Sequence, residues 1–132
     1  VPGEDIEGLG YVQSKTVIPV VADESLTSLE DLEKLAREGV QGINLKIMKL
    51  GGLSATLAVL KRGRELRLKI MLGCMAETSL GVTAMAHLSA WADWIDLDAP
   101  LLIANDPFEG VLYNQAEVSL PDRPGIGVIR RI

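Results

Sequence analysis

Residues 42–48 read Gly-Ile-Asn-Leu-Lys-Ile-Met, and their alternation of apolar and polar side chains predicts a β-strand. The leucine and the two isoleucines share one face, whereas Asn44 and Lys46 share the other. Gly51-Gly52 ends the strand, and Ser54 is a suitable N-cap for a helix over residues 54–68. This strand followed by a helix is the unit from which the rest of the fold is predicted.

The same alternation of strand and helix continues on both sides of this unit. Apolar runs predict three more strands, over residues 17–22, 70–74 and 95–98. Helical periodicity predicts three more helices, over residues 4–13, 28–38 and 78–92. Ser28 with Asp31 resembles a capping box, and Gly39 is a suitable C-cap. Repeated units of this kind predict an α/β fold, with parallel strands joined by right-handed crossovers and helices outside.

Composition and charge restrict the classes of function. Of the 132 residues, 48% are apolar and 23% are charged, which is the opposite of the signature of a disordered chain. A net charge of −5 disfavours nucleic acid and anionic membranes as partners, and no run approaches the roughly 18 apolar residues of a membrane span. Cys74 is the one cysteine, so a reducing, cytoplasmic location is predicted. Small molecules and proteins remain as partners.

Charged residues gather where the predicted strands end. They are Asp23, Lys46, Glu77 and the pair Asp96 and Asp98. Because the carboxyl ends of parallel strands meet at one edge, and ligands of α/β folds bind there, the spacing predicts a site at that edge.

Lys46 and Asp23 are the candidates for chemistry. Burial lowers the pKa of a lysine, which can then transfer protons near neutral pH; alternatively, Lys46 pairs with a carboxylate for structure or reaches solvent. Asp23 could bind Mg²⁺ or cap the following turn, and a single carboxylate is an incomplete magnesium site. Glu24 and Asn44 are expected to support these residues by hydrogen bonding.

Asp96 and Asp98 are two residues apart, so both would lie on one face of the predicted strand. Their repulsion would be relieved by a cationic ligand group such as an ammonium; alternatively, both carboxylates stay hydrated. Glu77 could contact a substrate or cap the helix that follows it. His87 is predicted to be a packed or hydrogen-bonded core histidine, and Lys49, Arg62, Arg64 and Arg67 to form a solvated face.

Several joined motifs resemble the enolase superfamily, in its muconate-lactonizing subgroup. They lie at residues 19–25, 43–52 and 73–81, and those at 96–102, 106–110 and 120–127 are similar to the dipeptide epimerases of that subgroup. The resemblance implies the C-terminal portion of a (β/α)7β TIM-like barrel. Residues 1–104 would form the later strands and helices, and residues 105–132 a tail that packs on the barrel and a capping domain.

The resemblance also implies roles for individual residues. Asp23 matches the third of three carboxylates that bind Mg²⁺, and Lys46 matches an acid/base lysine opposite a Lys-x-Lys pair. Asp96 and Asp98 match the pair that holds the α-ammonium of a dipeptide, while Met75 and Ala76 are expected to contact the substrate. One lysine would remove the α-proton, Mg²⁺ would stabilise the enolate, and the second lysine would return a proton to the opposite face.

The Lys-x-Lys pair, two metal carboxylates and the capping domain have no counterpart in this sequence, which begins at Val1-Pro2. A C-terminal part of an isomerase is therefore expected, inactive and poor at binding Mg²⁺ until the missing N-terminal half is supplied. One alternative is a relative of muconate cycloisomerase or o-succinylbenzoate synthase, against which the Asp96-x-Asp98 pair argues. Another is a non-catalytic half-barrel whose open sheet edges drive self-association into a homo-oligomer.

Overall fold

A computed structural model describes residues 1–131, and its centre is a four-stranded parallel sheet. The strands follow one another in chain order: β1 (Val21–Ala22), β2 (Gly42–Leu45), β3 (Lys69–Leu72) and β4 (Trp94–Ile95). Because every strand has the same direction, each connection carries the chain from the carboxyl end of one strand back to the amino end of the next. The predicted parallel α/β arrangement is confirmed.

Helices connect the strands, and a tail of short strands completes the fold. The helices are α1 (Ile6–Ser14), α2 (Leu29–Arg37), α3 (Ile47–Leu50), α4 (Leu53–Glu65) and α5 (Ser79–Ala86). Two 3₁₀ turns cover Ser89–Trp91 and Ala99–Leu101. In the tail, β5 (Phe108–Glu109) pairs with β8 (Ile129–Arg130), and β6 (Leu112–Asn114) pairs with β7 (Glu117–Ser119), both antiparallel. Within residues 1–131, no helix is both long and apolar enough to cross a bilayer.

The core lies between the sheet and its helices. Its largest fully buried side chains are Leu26, Leu32, Leu35, Ile43, Leu45, Leu60, Ile70, Leu72 and Met85. Burial of each such side chain stabilises the fold by roughly 1.5–3 kcal/mol. Gly63 lets α4 approach the sheet, because a Cβ there would stand 3.0 Å from the Cδ1 atoms of both Ile43 and Ile70.

The caps predicted for helix α2 are confirmed. Ser28 is the N-cap, and its hydroxyl oxygen accepts a hydrogen bond from the Asp31 N–H at 3.1 Å. The Asp31 carboxylate in turn accepts from the Ser28 hydroxyl at 2.8 Å. Gly39 has φ of +81°, the left-handed conformation that glycine adopts readily after a helix.

The strand predicted over residues 17–22 is shortened to its last two residues, and this prediction was wrong for its first part. Val17 and Ile18 are 96% and 71% exposed. The side chain of Gln13, from α1, takes the place of a strand partner there. Its Oε1 accepts from the Val20 N–H at 2.7 Å, and its Nε2 donates to the carbonyl oxygen of Ile18 at 3.3 Å.

The strand over residues 42–48 also ends early, at Leu45, and the chain then turns into the short helix α3. Gly51 ends α3 in the left-handed conformation, with φ of +81°. Gly52 is the N-cap of α4, so Ser54 lies inside the helix and the prediction that it caps α4 was wrong. These two glycines let two helices meet without a loop between them.

The predicted helix over residues 78–92 is divided into α5 and the 3₁₀ turn at Ser89–Trp91. His87 therefore lies at the end of α5, where it is exposed and its Nε2 is 3.1 Å from the Ile126 carbonyl oxygen. His87 is hydrogen-bonded as predicted, but its predicted place in the core was wrong, because the helix stops one residue before it.

Asp93 connects α4 and β3 at the opposite end of the sheet, where the amino ends of the strands lie. It accepts hydrogen bonds from the Ile70 N–H at 2.9 Å, from Arg64 at 2.7 Å and from Lys69 at 2.9 Å. Arg64 was predicted to be solvated, but it pairs with Asp93 here. Burial raises the pKa of Asp93, but the hydrogen bonds from Ile70, Lys69 and Arg64 outweigh burial and lower the pKa to about 2.

We expect Asp93 to contribute acid sensitivity. Its pKa in the folded state lies below the unfolded value of about 3.9, so its stabilisation is present above that pH and is lost as the pH falls toward 2. The loss should be about 1–2 kcal/mol, allowing for solvent screening. Urea unfolding at a series of pH values would measure it in the wild type and in Asp93→Asn. Asp122→Asn, at an exposed position, is the control, and equal acid sensitivity in all three proteins would contradict the expectation.

Candidate active site

The carboxyl ends of all four strands meet at one edge of the sheet, which we call the rim. Asp23 follows β1, Lys46 follows β2, Gly73 follows β3 and Asp96 follows β4. The Gly73 N–H donates to the Leu45 carbonyl at 2.9 Å, and the Asp96 N–H donates to the Leu72 carbonyl at 2.8 Å. Lys46 and Asp96 therefore flank Gly73 at the same level, with backbones about 10 Å apart, two strand spacings.

The Asp23 carboxylate is the centre of a cluster on the rim. Its Oδ2 accepts from Lys46 Nζ at 2.9 Å and from Asn44 Nδ2 at 3.0 Å. Lys49 Nζ is 2.5 Å from both Oδ1 and the carbonyl oxygen of Asp23. Burial raises the pKa of Asp23, but the hydrogen bonds from Lys49, Lys46 and Asn44 outweigh it and lower the pKa. Asp23 is therefore an anion at neutral pH.

Asn44 on β2 and Lys46, which follows β2 in an extended conformation, reach the cluster as their alternation on one face predicted. Lys49 reaches it unexpectedly, because the sequence predicted a solvated lysine and its side chain is only 13% exposed. The reason is α3, whose N-cap is Lys46 and whose turn brings the residue three positions later back over the rim. The signal in the sequence was Gly51-Gly52, which ends a helix here rather than a strand.

The effect of Lys49 on the pKa of the Asp23 carboxyl can be measured. We expect Lys49→Met to raise the pKa of the Asp23 carboxyl toward its ordinary value, because one of two cations and one hydrogen bond to Oδ1 are lost. A carbon-13 NMR titration of Asp23 would measure the change. Lys61→Met, at an exposed position on α4, is the matched control. An Asp23 pKa that stays low in Lys49→Met would mean that Lys46 and Asn44 alone hold the carboxylate.

Asn44 is 6% exposed, and its Oδ1 is buried without a hydrogen-bond partner in the part of the chain that the structure describes. Gly73 leaves room for this amide, because a Cβ on Gly73 would stand 2.5 Å from Oδ1. Asp23 presents carboxylate oxygen atoms, the ligands that Mg²⁺ prefers. Residues 1–131 contain no group of three or more His, Cys, Asp or Glu side chains arranged for a metal ion.

Asp96 and Asp98 are placed differently from the prediction. Strand β4 ends at Ile95, and Asp98 has helical angles (φ −98°, ψ −6°) at the start of the 3₁₀ turn Ala99–Leu101. The two residues therefore do not share a strand face, because the chain bends around the buried Leu97. Both aspartates are exposed, and within residues 1–131 neither has a cationic partner within salt-bridge distance.

The two glutamates predicted to support the site lie outside the Asp23 cluster. Glu24 is exposed and makes none of the hydrogen bonds of that cluster. Glu77 accepts from the Met75 N–H at 3.1 Å, and its Oε2 lies over the first turn of α5, 2.1 Å from the position of a Cβ on Gly81. Glu77 makes no hydrogen bond to the first N–H groups of α5, so it does not cap that helix by hydrogen bonding.

A cavity of about 380 Å³ opens beside Asp98 on the rim. Its other lining residues are Cys74, Met75, Ala76, Ala99, Leu102 and Ile103. Cys74 Sγ donates to the Asp96 carbonyl at 3.4 Å and lies 3.8 Å from Asp98 Oδ1. Burial raises the pKa of the Cys74 thiol, so the sulfur is uncharged at neutral pH. The cavity is apolar apart from one carboxylate.

The tail supports the loop that carries Asp98. Tyr113, on β6, donates its hydroxyl proton to the Leu97 carbonyl at 2.7 Å. Burial raises the pKa of Tyr113 to about 12, so this donor stays protonated throughout the physiological range. Leu97 lies between the two aspartates, and the tail therefore fixes the backbone from which both project.

A parallel sheet that gathers a lysine and carboxylates at the carboxyl ends of its strands is typical of enzymes built on α/β barrels. The chain belongs to the Enolase C-terminal domain-like family, whose model matches residues 1–129. This match confirms the resemblance that the motifs predicted, and with it the fold class.

Relatives and solved structures agree with this assignment. The L-Ala-D/L-Glu epimerase of Bacteroides thetaiotaomicron is 38% identical over 129 residues, covering 98% of this chain and 33% of that protein. A substrate-liganded complex of the L-Ala-D/L-Glu epimerase from Bacillus subtilis has a TM-score of 0.90 at 34% identity, covering 98% of this chain and 38% of the other. The dipeptide epimerase from Cytophaga hutchinsonii, complexed with Mg and D-Ala-L-Val, has a TM-score of 0.90 at 27% identity, covering 99% and 37%.

These relatives are isomerases. The chain spans about a third of the length of the curated relatives that it matches. The matched third is the region that carries Asp23, Lys46, Asp96 and Asp98. We call the segment from Asp96 to Asp98, which follows β4, the β4 loop.

Proposed function

We propose that this chain is the C-terminal part of a Mg²⁺-dependent dipeptide epimerase, to which it contributes one base, one metal ligand and the clamp for the substrate ammonium. The observation that carries the proposal is the position of Lys46 on the rim, level with Asp96, in a chain whose relatives are dipeptide epimerases. An upstream part of the protein would supply the second base and the other metal ligands. Residues 105–132 would pack as a tail on the barrel and on a capping domain.

Epimerisation inverts the α-carbon of one substrate residue, which needs a base on each face. In its neutral form, Lys46 Nζ would take the α-proton while the C–H electron pair moves into the adjacent carboxylate group of the substrate. A proton from the base on the opposite face would then complete inversion. In the reverse direction, the Lys46 ammonium would donate the proton, so one residue acts as base or acid according to the configuration of the substrate.

Asp23 would hold Mg²⁺ together with oxygen ligands from the upstream part. Two ammonium groups and an amide N–H face its carboxylate, so the ion would bind where Lys46 or Lys49 now contacts Asp23. When bound, the metal supplies positive charge where the substrate carboxylate gains negative charge. Asn44 would keep one oxygen of Asp23 in place.

Asp96 and Asp98 would bind the α-ammonium of the dipeptide. Two exposed carboxylates without a cationic partner in the described chain favour a cationic ligand group. Muconate and o-succinylbenzoate contain no ammonium, so the pair supports a dipeptide epimerase over those relatives. A single cysteine is compatible with action in the cytoplasm.

The isolated chain is expected to be inactive and to bind Mg²⁺ poorly, since it holds one carboxylate of the metal site. Strands β1 and β4 are the edges of the sheet, and Trp94 and Ile95 on β4 are exposed. The upstream half would cover these edges, and without it we propose that copies associate with one another. Light scattering of the isolated chain would give a clean monomer if this is wrong.

Exchange of the α-proton tests the function directly. The protein with its upstream part would be incubated with L-Ala-L-Glu in D₂O and Mg²⁺, and proton NMR would follow deuterium entry and the appearance of the second diastereomer. We expect both at the C-terminal residue, and no turnover of muconate or of the o-succinylbenzoate precursor. Turnover of either of those substrates, with no exchange in a panel of dipeptides, would contradict the proposal.

A further inference from the structure

The Tyr113 hydroxyl joins the tail to the rim, because it donates to the Leu97 carbonyl oxygen at 2.7 Å. We propose that Tyr113 is a positioning residue for the reaction, which holds the β4 loop so that Asp96 and Asp98 together bind the ammonium of the substrate. This inference rests on the proposed epimerase function, to which it adds a residue of the tail. The function proposed above gives the tail no part in substrate recognition.

Each of the three backbone carbonyl groups of the β4 loop accepts a hydrogen bond. The donors, in the order of the carbonyls, are Cys74 Sγ at 3.4 Å, the Tyr113 hydroxyl at 2.7 Å and the Leu101 N–H at 2.8 Å. A thiol is a weak donor, and the Leu101 N–H belongs to the turn that the loop itself enters. Tyr113 is therefore the strong donor that reaches the loop from a distant part of the chain.

Packing alone does not fix the β4 loop. Leu97 is 2% exposed, but a cavity of about 160 Å³ adjoins it, lined also by Ala86 of α5 and Val118 of β7. The loop therefore has room to shift if its carbonyl is released. Tyr113 can hold that carbonyl firmly, because its ring packs against the core and burial raises the pKa of its phenol to about 12, which keeps the donor protonated.

The backbone of the loop decides where the two carboxylates stand. Asp96 and Asp98 are exposed, and within residues 1–131 neither lies within salt-bridge distance of a cation. An ammonium has three N–H donors and can bind both carboxylates only while their separation suits it. Lys46 follows another strand, with its backbone about 10 Å from that of Asp96. Release of the loop should therefore weaken ammonium binding and leave proton transfer unchanged.

Tyr113→Phe tests the inference, because it removes the hydroxyl group and keeps the ring. The protein with its upstream part would be assayed with L-Ala-L-Glu, by the appearance of the second diastereomer. We expect KM to rise about 3–10-fold, the net value of one hydrogen bond, while kcat stays within about twofold of the wild type. A rise in KM with kcat unchanged indicates lost binding rather than lost chemistry.

A substrate analogue without an ammonium separates recognition of that group from a general change in the site. N-propanoyl-L-glutamate is L-Ala-L-Glu with hydrogen in place of the ammonium group. As a competitive inhibitor it forms no ion pair with the two aspartates, so its Ki should be the same in the wild type and in Tyr113→Phe. Tyr11→Phe changes the other tyrosine of the chain, 66% exposed on α1, and is the matched control. It should leave both KM and Ki unchanged.

The outcomes distinguish the two proposals. An unchanged KM in Tyr113→Phe, or a rise in KM that Ki follows by the same factor, would overturn the role of Tyr113 and leave the epimerase function standing. A fall in kcat alone would overturn that role as well. If the wild type epimerises no dipeptide, the epimerase function fails and this inference with it. A rise in KM without a matching rise in Ki would support both.

Discussion

Lys46→Ala is expected to abolish epimerisation by the protein that includes the upstream part. The loss should be roughly 10²–10⁴-fold, the usual contribution of a positioned acid or base. The loss should also depend on the configuration of the substrate. A base on the opposite face can still remove the α-proton of one diastereomer, so deuterium exchange should persist for that diastereomer and disappear for the other.

The structure provides the means to separate chemistry from folding in this variant. In Lys46→Ala, the Asp23 carboxylate keeps its contacts with Lys49 and Asn44, so the rim should retain its arrangement. Lys61→Ala removes an exposed lysine from α4 and is the matched control. Urea unfolding should give similar midpoints for all three proteins. Equal exchange of both diastereomers by Lys46→Ala would remove Lys46 from the mechanism.

Asp106→Ala is expected to have the largest effect on stability, a loss of about 2–4 kcal/mol of unfolding free energy. Asp106 is 7% exposed and joins the tail to the start of α5. Its Oδ2 accepts from the Ser79 N–H at 2.7 Å and from the Ser79 hydroxyl at 2.6 Å, and its Oδ1 accepts from the Phe108 N–H at 2.9 Å. Truncation would leave these buried donors without a partner.

The effect should also depend on pH. Burial raises the pKa of Asp106, but the hydrogen bonds from Ser79 and Phe108 outweigh it and lower the pKa. The stabilisation is therefore complete above the unfolded pKa of about 3.9 and is lost as the pH falls through the lower folded value. The difference in urea midpoint between wild type and Asp106→Ala should shrink in acid. Asp122→Ala, exposed in the same tail, should match the wild type at every pH, and a stable Asp106→Ala would contradict the expectation.

Lys46, Asn44 and Asp23 show what periodicity can predict about a site. Two of them alternate on one strand, and the third ends the neighbouring strand, so parallel pairing alone brings them together. Lys49 could not be placed in this way. Its position depends on a strand that stops at Leu45 and a helix that starts two residues later, a change that depends on packing.

The β4 loop is a second place where periodicity could not predict the positions of side chains. Asp96 and Asp98 were placed on one strand face because sequence spacing assumes that a strand continues. In the fold, Leu97 is buried and the chain turns, and a tyrosine sixteen residues later in the sequence holds the Leu97 carbonyl. The separation of the two carboxylates is therefore decided by a tail that no local pattern connects to them.

The sequence alone determined the alternation of four strands with the main helices, the parallel sheet, the caps of α2, the family, and the end of the sheet at which charged residues gather. These features follow from short-range periodicity and capping, which act over a few neighbouring residues. Only the tertiary structure decided where each strand ends, that Lys49 joins Asp23, that Glu77 folds over α5, and that an apolar cavity adjoins Asp98. Those features depend on contacts between residues far apart in the chain, where burial and hydrogen bonding outweigh local preference.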